Sequence, residues 1–354
     1  MTVEFPATVI VCTHNRAHYL RACLESLAQQ NCDVPFEVLV VDNASTDETP
    51  GLLHQWCLSD ARFRMTREPN VGLSAAKNTG VRLARGRLLL FTDDDVVLDP
   101  NWVRSYLDFF GARPHDSIIA GGPIIPIPHD LGSWPNWFDL RALDDVGLLD
   151  YGEERPLTPP EYVWGANMAI PASCFSRVGW NEHVGRRGEE RGTFEDTEYQ
   201  DQMWLTGVTT WFCPSAKLRH RVPRSQVSPS QVLNTSFRRG RNQFWKEVVE
   251  KRAEGQSCVR DDYVRGLSLL FGNLAALVFW SLVFKVRRTR AVFVRAHRRA
   301  WLSGWSMDVL RVGRESSRPW RAIGGAALST VHAIGKLLDA GGKKKADPPS
   351  ENQP

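Results

Sequence analysis

Three consecutive carboxylates, Asp93-Asp94-Asp95, close the apolar run Arg87-Leu88-Leu89-Leu90-Phe91-Thr92. Acidic groups packed this tightly repel one another unless a cation sits among them. Oxygen-rich clusters of that kind suit hard divalent ions, magnesium or manganese. Asp93 and Asp95 are thus a candidate metal pair. Aspartate-rich turns after strands are common, so the pair needs company before it counts as a site. A second acidic pair, Glu195-Asp196, follows Thr193, which reads as the cap of a helix with both carboxylates in its first turn. There the helix dipole favours the ionised form. A positioned carboxylate of this type can take a proton from an attacking hydroxyl; it can also simply start a helix well.

The elements that must hold these groups are legible from periodicity. Residues 7–12, 36–41 and 62–66 read as strands, and 87–92 as a fourth buried on both faces. Between them, Leu20, Cys23 or Leu24, and Leu27 recur at helical spacing. A second helix is expected from Ser45 or Thr46, and a third capped by Ser74 and running toward Arg85. Alternating strands and helices give right-handed crossovers and a doubly wound, mostly parallel α/β sheet. Ligands in such sheets lie beyond the carboxyl ends of the strands. The polar tails Thr13–Arg16, Asp42–Asp47 and Asp93–Asp95 all fall on that rim. Glycine fingerprints for a dinucleotide and for a P-loop are both missing after the first strand.

Composition is that of a folded protein, 42% hydrophobic and 24% charged, and the net charge of +4 has its excess beyond residue 217. Nucleic-acid binding finds no support beyond that basic half. The seven cysteines have no metal-ligand spacing, which suits reduced, mostly buried thiols in a cytosolic setting. No basic stretch followed by an apolar one opens the chain, so no secretory signal is expected.

Six segments, in order, carry a resemblance. They are Val9–Arg16 (VIVCTHNR), Val40–Thr49 (VVDNASTDET), Asn70–Gly80 (NVGLSAAKNTG), Leu89–Val96 (LLFTDDDV), Trp164–Ile170 (WGANMAI) and Phe194–Gly207 (FEDTEYQDQMWLTG). Together they resemble glycosyltransferase family 2, the inverting class with the GT-A fold. The resemblance implies a Mn2+- or Mg2+-dependent transfer of sugar from a nucleoside diphosphate, usually of uridine, to a hydroxyl. It implies that Asp42 accepts a hydrogen bond from the base, with Thr13 and Arg16 in the same pocket. An Asx-turn explains Asp42 equally well. Gly72 would allow close backbone approach. Lys77 would meet the diphosphate, or else sit on a solvated helix face. Asp93 would contact the ribose and Asp95 the metal, with Asp94 open to a shift of frame by one. Asp196, or Glu195, would be the base. His220 would add a metal ligand, and Trp164-Gly165-Ala166-Asn167 would border donor sugar and acceptor. Trp134, Trp137 and Trp164 suit either sugar stacking or core packing.

Domain organisation follows: a catalytic domain over 1–225, with nucleotide-sugar binding in 1–125 and the acceptor region in 126–225; a helical extension over 226–340; a disordered tail over 341–354. Within the extension, Arg238-Arg239-Gly240-Arg241 and Lys246 suit an acidic acceptor, a membrane surface or a plain solvated face. Leu267–Phe284 carries no charge over 18 residues and is followed by a basic flank. A single crossing would hold that flank inside and push the catalytic domain out, away from cytosolic nucleotide sugars. A monotopic or hairpin attachment at the cytoplasmic face is expected instead, with Trp280, Trp301 and Trp305 near the headgroups; a buried core helix is the competing reading. The acceptor is expected to be a glycan or lipid-linked intermediate there. Two rivals remain: a sugar nucleotidyltransferase, and a non-catalytic nucleotide-sugar-binding scaffold at the membrane.

Overall fold

The computed structural model describes residues 5–113, 117–129, 132–159, 161–183, 195–229, 231–233, 235–236, 295–296 and 298–300. The expected cap Thr193, the basic stretch around Arg238–Lys246, the apolar segment Leu267–Phe284 with its Trp280, Trp301 and Trp305 beyond it, and the tail from 341 lie outside the described residues.

Strands and helices alternate from the start: β1 (Phe5–Thr13), α1 (Ala17–Ala28), β2 (Phe36–Asp42), α2 (Thr49–Ser59), β3 (Phe63–Arg67), α3 (Leu73–Leu83) and β4 (Gly86–Asp93). There follow β5 (Val96–Leu98), α4 (Trp102–Gly111), β6 (Ile118–Gly121), β7 (Ile124–Pro128), β8 (Arg155–Leu157), β9 (Asn167–Pro171), α5 (Glu195–Leu205), β10 (Thr209–Phe212) and β11 (Leu218–Val222). Eight strands form one sheet in the order β3-β2-β1-β4-β9-β6-β10-β8, and β5-β11-β7 form a second. β1 pairs in parallel with both β2 and β4, while β9 runs antiparallel to β4. Strand order reverses at β1, so the crevice between the ends of β1 and β4 is a topological switch point.

Side chains of a strand alternate between faces, and here both faces are covered. Val9, Val11, Val38, Val40 and Leu90 pack with Leu24 of α1, Leu53 of α2 and Trp102 of α4. Ile10, Val41, Leu89 and Phe91 pack on the other side with Ala76 of α3 and with Tyr199 and Met203 of α5. Gly80 lets α3 lie close on the sheet, since a Cβ there would come within 2.6 Å of the Ile10 Cγ2.

Two helix starts differ from expectation. α2 begins at Thr49 rather than near Ser45 or Thr46, because the intervening amides are already taken. Ser45 N–H donates to Asp42 Oδ1 at 2.9 Å, and those of Thr46 and Asp47 to Asn15 Oδ1 at 2.7 and 3.3 Å. Ala44 adopts a left-handed φ of 58° in the same loop. α3 starts at Leu73, one residue before Ser74, and no side chain caps it.

The chain divides into two compact units, Met1–Ile127 with Gly147–Arg221, and Pro128–Val146 with Val222–Pro354. In the second unit, Trp134 stacks on Phe138 with ring centroids 4.8 Å apart, and Trp137 meets the same ring edge-on.

Candidate active site

Both clusters of carboxylates lie in the first unit, and strand register decides who meets them. Thr13 ends β1 beside Asp42 of β2, and Cys12 is level with Asp93 of β4. An open cleft at this rim is lined by Cys12, Thr13, His14, Arg16, Asn43 and Asp93, among others.

The triplet is gripped from β1 and its tail. Thr13 Oγ1 donates to Asp94 Oδ2 at 2.7 Å. The Arg16 guanidinium reaches Asp94 Oδ1 at 3.1 Å and Asp95 Oδ2 at 2.5 Å, with the Tyr19 ring 4.5 Å beneath it. The backbone turns after Asp93, and β5 then pairs antiparallel with β11, placing His220 opposite Val96. Arg221 N–H donates to the Asp95 carbonyl at 2.8 Å, which fixes that register beside the triplet. His220 Nε2 consequently stands 3.4 Å from Asp95 Oδ1. That oxygen is buried and accepts no hydrogen bond.

Electrostatics separate the three acids. Burial pushes the Asp93 carboxyl up to about 6, reinforced by Asp95. Burial likewise pushes Asp94 up to about 7, against the pull of Arg16. Burial also opposes the charge on Asp95, but the His220 imidazole and the Arg16 guanidinium outweigh it and hold that carboxyl well below the usual range. His220 is raised in turn, since Asp95 and Asp93 more than offset its burial. A buried carboxylate oxygen that accepts no hydrogen bond, beside an imidazole and two residues along from Asp93, is a donor set of the chemistry that suits a divalent cation. Among the described residues, no ready-made cage of three or more such ligands is closed around a point.

The second cluster is built by α3, α5 and the segment before β9. Lys77 Nζ lies 2.6 Å from Asp196 Oδ1, 3.8 Å from Glu195 Oε1 and 4.3 Å from the centre of the Trp180 ring. Gly165 N–H donates to Asp196 Oδ2 at 2.7 Å. A Cβ at Gly165 would fall 2.5 Å from Asp196 Oδ1 and 2.7 Å from Lys77 Nζ, so any larger residue would displace the ends of those two side chains. Lys77 is 3% exposed, which removes the solvated-face reading. Burial works against its charge, yet Asp196 and Glu195 outweigh that and raise its pKa.

Other expected site residues fall out as follows. Asp42 is buried, with Oδ1 occupied by the Ser45 amide and Oδ2 3.7 Å from Arg67 Nη1. The Gly72 N–H donates to Asn43 Oδ1 at 2.8 Å, and its backbone is extended, so no special glycine conformation is required there. Trp164 is 38% exposed. Asn167 is a correction. Its amide donates to the carbonyls of Pro123 and Ala216 at 2.9 and 2.8 Å, while its Oδ1 accepts from Trp102 Nε1 and the Tyr106 hydroxyl at 2.8 and 2.7 Å. Wholly buried and fully satisfied, it ties β9 to α4 and has nothing left for a sugar. The roles of Asn43, His14 and Trp180 carried no sequence signal. Asn43 Nδ2 donates to the Glu68 and Asn70 carbonyls at 3.1 and 2.7 Å, stitching the β2 tail to the turn before α3. Cys12 lines the cleft, and burial pushes its thiol up to about 12, away from the thiolate that a nucleophile needs.

Residues 8–160 match the model of glycosyl transferase family 2. The chain is 22% identical over 297 residues to a glucosyl-dolichyl phosphate glucuronosyltransferase of Haloferax volcanii, covering 81% of this chain and 91% of that one. It is 30% identical to a validoxylamine A glucosyltransferase of Streptomyces hygroscopicus subsp. jinggangensis over 52% of this chain and 49% of the relative. Among solved structures, a mannosyltransferase from Pyrobaculum calidifontis in complex with GDP-Man and Mn2+ aligns with a TM-score of 0.48 and 18% identity, over 96% of this chain and 86% of that one.

Proposed function

We propose, from the match of residues 8–160 to glycosyl transferase family 2, that the chain is a glycosyltransferase of that family and carries out a metal-dependent, inverting transfer from a nucleoside diphosphate sugar to a hydroxyl of a glycan or lipid-linked acceptor. One observation carries the reading: Asp95 Oδ1 is a buried anionic oxygen with no hydrogen-bond donor, beside His220. The His220 imidazole compensates that oxygen only while protonated; with a neutral His220 the oxygen is left unsatisfied at a cost of about 1–3 kcal/mol or more, and a cation is a partner that this donor set suits. Asp93, Asp95 and His220 would hold Mg2+ or Mn2+, which when bound supplies Lewis-acid stabilisation of charge on a departing diphosphate.

The chain's own residues do the rest. Thr13 and Arg16 line the cleft, and Asp42 lies buried beside Thr13 at its rim; these three would take the nucleoside, and the β4 tail would face its phosphates. Arg16, held on Asp94 and Asp95, keeps the acidic cluster compact and adds positive charge where phosphate charge would gather. Asp196 is our choice of base over Glu195, being the more exposed of the two side chains, 23% against 10%. One of its carboxylate oxygens accepts the proton that the acceptor hydroxyl sheds as it attacks. A single displacement with a separate base inverts the sugar and needs no nucleophile from the chain.

A lipid-linked acceptor is supported by the Haloferax relative, whose name carries glucosyl-dolichyl phosphate. Together with the uncharged run Leu267–Phe284 and its basic flank, it favours attachment at the cytoplasmic face of a membrane. The test is a screen of nucleoside diphosphate sugars for hydrolysis, with manganese and with chelator. Turnover of one donor that chelator abolishes is expected. Turnover that chelator leaves intact overturns the metal dependence, and no turnover of any donor overturns the reading.

A further inference from the structure

Lys77 is the residue whose surroundings depart furthest from a donor-binding role. Its ammonium is buried and turned onto both acids of the second cluster and onto the face of Trp180. An ammonium removed from water needs compensation of several kcal/mol, and here two carboxylates and a ring provide it. To meet a diphosphate, Nζ would have to give up a 2.6 Å contact with Asp196. Asp196, for its part, has each oxygen addressed by one fixed donor, Lys77 on Oδ1 and the Gly165 amide on Oδ2. The spare lone pairs of the carboxylate are therefore aimed by two groups on separate segments. Gly165 packs so closely on this pair that even a methyl group there would push on both Asp196 and Lys77.

We propose that Lys77 is a positioning residue for the base: it holds the Asp196 carboxylate, jointly with the Gly165 amide, in the orientation that receives the acceptor proton, and it does not bind the donor. The inference rests on the reading of Asp196 as base. Trp180 belongs to the same device, its ring lying 4.3 Å from the ammonium and contributing a cation–π contact. Its ring stacks on Tyr199 of α5 with centroids 4.3 Å apart, so α5 and the Lys77 pocket are braced together.

The experiment compares Lys77→Met, Asp196→Asn, the double variant and Gly165→Ala in the full chain. Donor turnover with acceptor, UDP affinity in the presence of manganese and the melting temperature are measured for each. Methionine keeps the length of the side chain and its contact with Trp180, and the melting temperature identifies any variant that fails to fold. Expected for Lys77→Met is a fall in kcat of roughly 10²-fold, the scale of a displaced catalytic group, with UDP affinity within about threefold of the parent. In the Asp196→Asn background the same change should cost nothing further, because the group it positions is gone. Gly165→Ala should fold and reproduce the kcat loss, again with UDP affinity within about threefold of the parent. A tenfold or greater loss of UDP affinity in Lys77→Met, or losses that add in the double variant, would overturn the proposal while leaving the base in place. Full transfer by Asp196→Asn would remove the base assignment and this inference together, which separates the two failures.

Discussion

Asp95 and Asp196 stand in contrasting environments. Asp95 has one oxygen on Arg16 and the other without a donor, whereas both oxygens of Asp196 are occupied by fixed donors. Replacing each by asparagine should consequently give different phenotypes. Asp95→Asn should abolish manganese-dependent UDP binding and lower transfer by about 10³-fold. Asp196→Asn should lower transfer by about 10²–10⁴-fold and leave UDP binding unchanged. Calorimetry with UDP and manganese, beside a transfer assay, distinguishes them. The acids also set a pH dependence. Asp93, at about 6, and Asp94, at about 7, have folded-state pKa values above those of free carboxyls, and His220 is raised as well. A raised group contributes stability that is full below its unfolded pKa and lost as pH climbs through the folded value. The depressed Asp95 contributes in the opposite sense, but its window lies below the free-carboxyl range and does not reach pH 5–8. Metal-free protein should thus melt at a lower temperature at pH 8 than at pH 5. Added manganese should raise the melting temperature more at pH 8, where the acids are already ionised. Thermal scans at both pH values, with and without manganese, check this; a manganese gain that is equal at both would contradict it.

At the scale of elements, the β9 strand is held to α4 through one side chain. Asn167 joins Trp102, Tyr106, Pro123 and Ala216. Asn167→Ala would take away the partner of the buried Trp102 indole N–H and of the Ala216 carbonyl, whereas the Pro123 carbonyl keeps the Leu218 amide and the Tyr106 hydroxyl keeps the backbone carbonyl of residue 167; the cost is about 3–5 kcal/mol. For a unit of this size that is a drop of roughly 10 °C in melting temperature, with UDP affinity unchanged in the surviving fold; a thermal scan and a UDP titration measure both. The fold's first half was legible because its elements obey local periods. The strand ending in Asp93, the helix after β1 and the rim of polar tails all follow from runs of adjacent residues. The start of α2 was not, because Asn15, from another loop, claims the Thr46 and Asp47 amides at 2.7 and 3.3 Å. No local propensity encodes that competition. The same applies to Asn167, whose segment resembles a site motif while its side chain faces the core.

The whole molecule raises the matter of where it works. Among the described residues no helix is long and apolar enough to cross a membrane, and Leu267–Phe284 lies outside them. We expect the full chain to sediment with membranes after lysis without detergent, and a truncation before Leu267 to be released; complete recovery of the full chain in the supernatant would refute the attachment. What the amino-acid order by itself determined is the alternation of strand and helix, the acids at the strand ends and the family they resemble. Those properties are local, written in periods of two and 3.6 residues and in short motifs. Only the tertiary structure decided which groups face one another. It set Lys77 on Asp196, 119 positions away, and turned Asn167 inward. It also stood His220 beside the Asp95 oxygen that lacks a donor. Partners so distant in sequence are chosen by strand register and by the packing of helices on a shared sheet, and these are properties of the assembled chain.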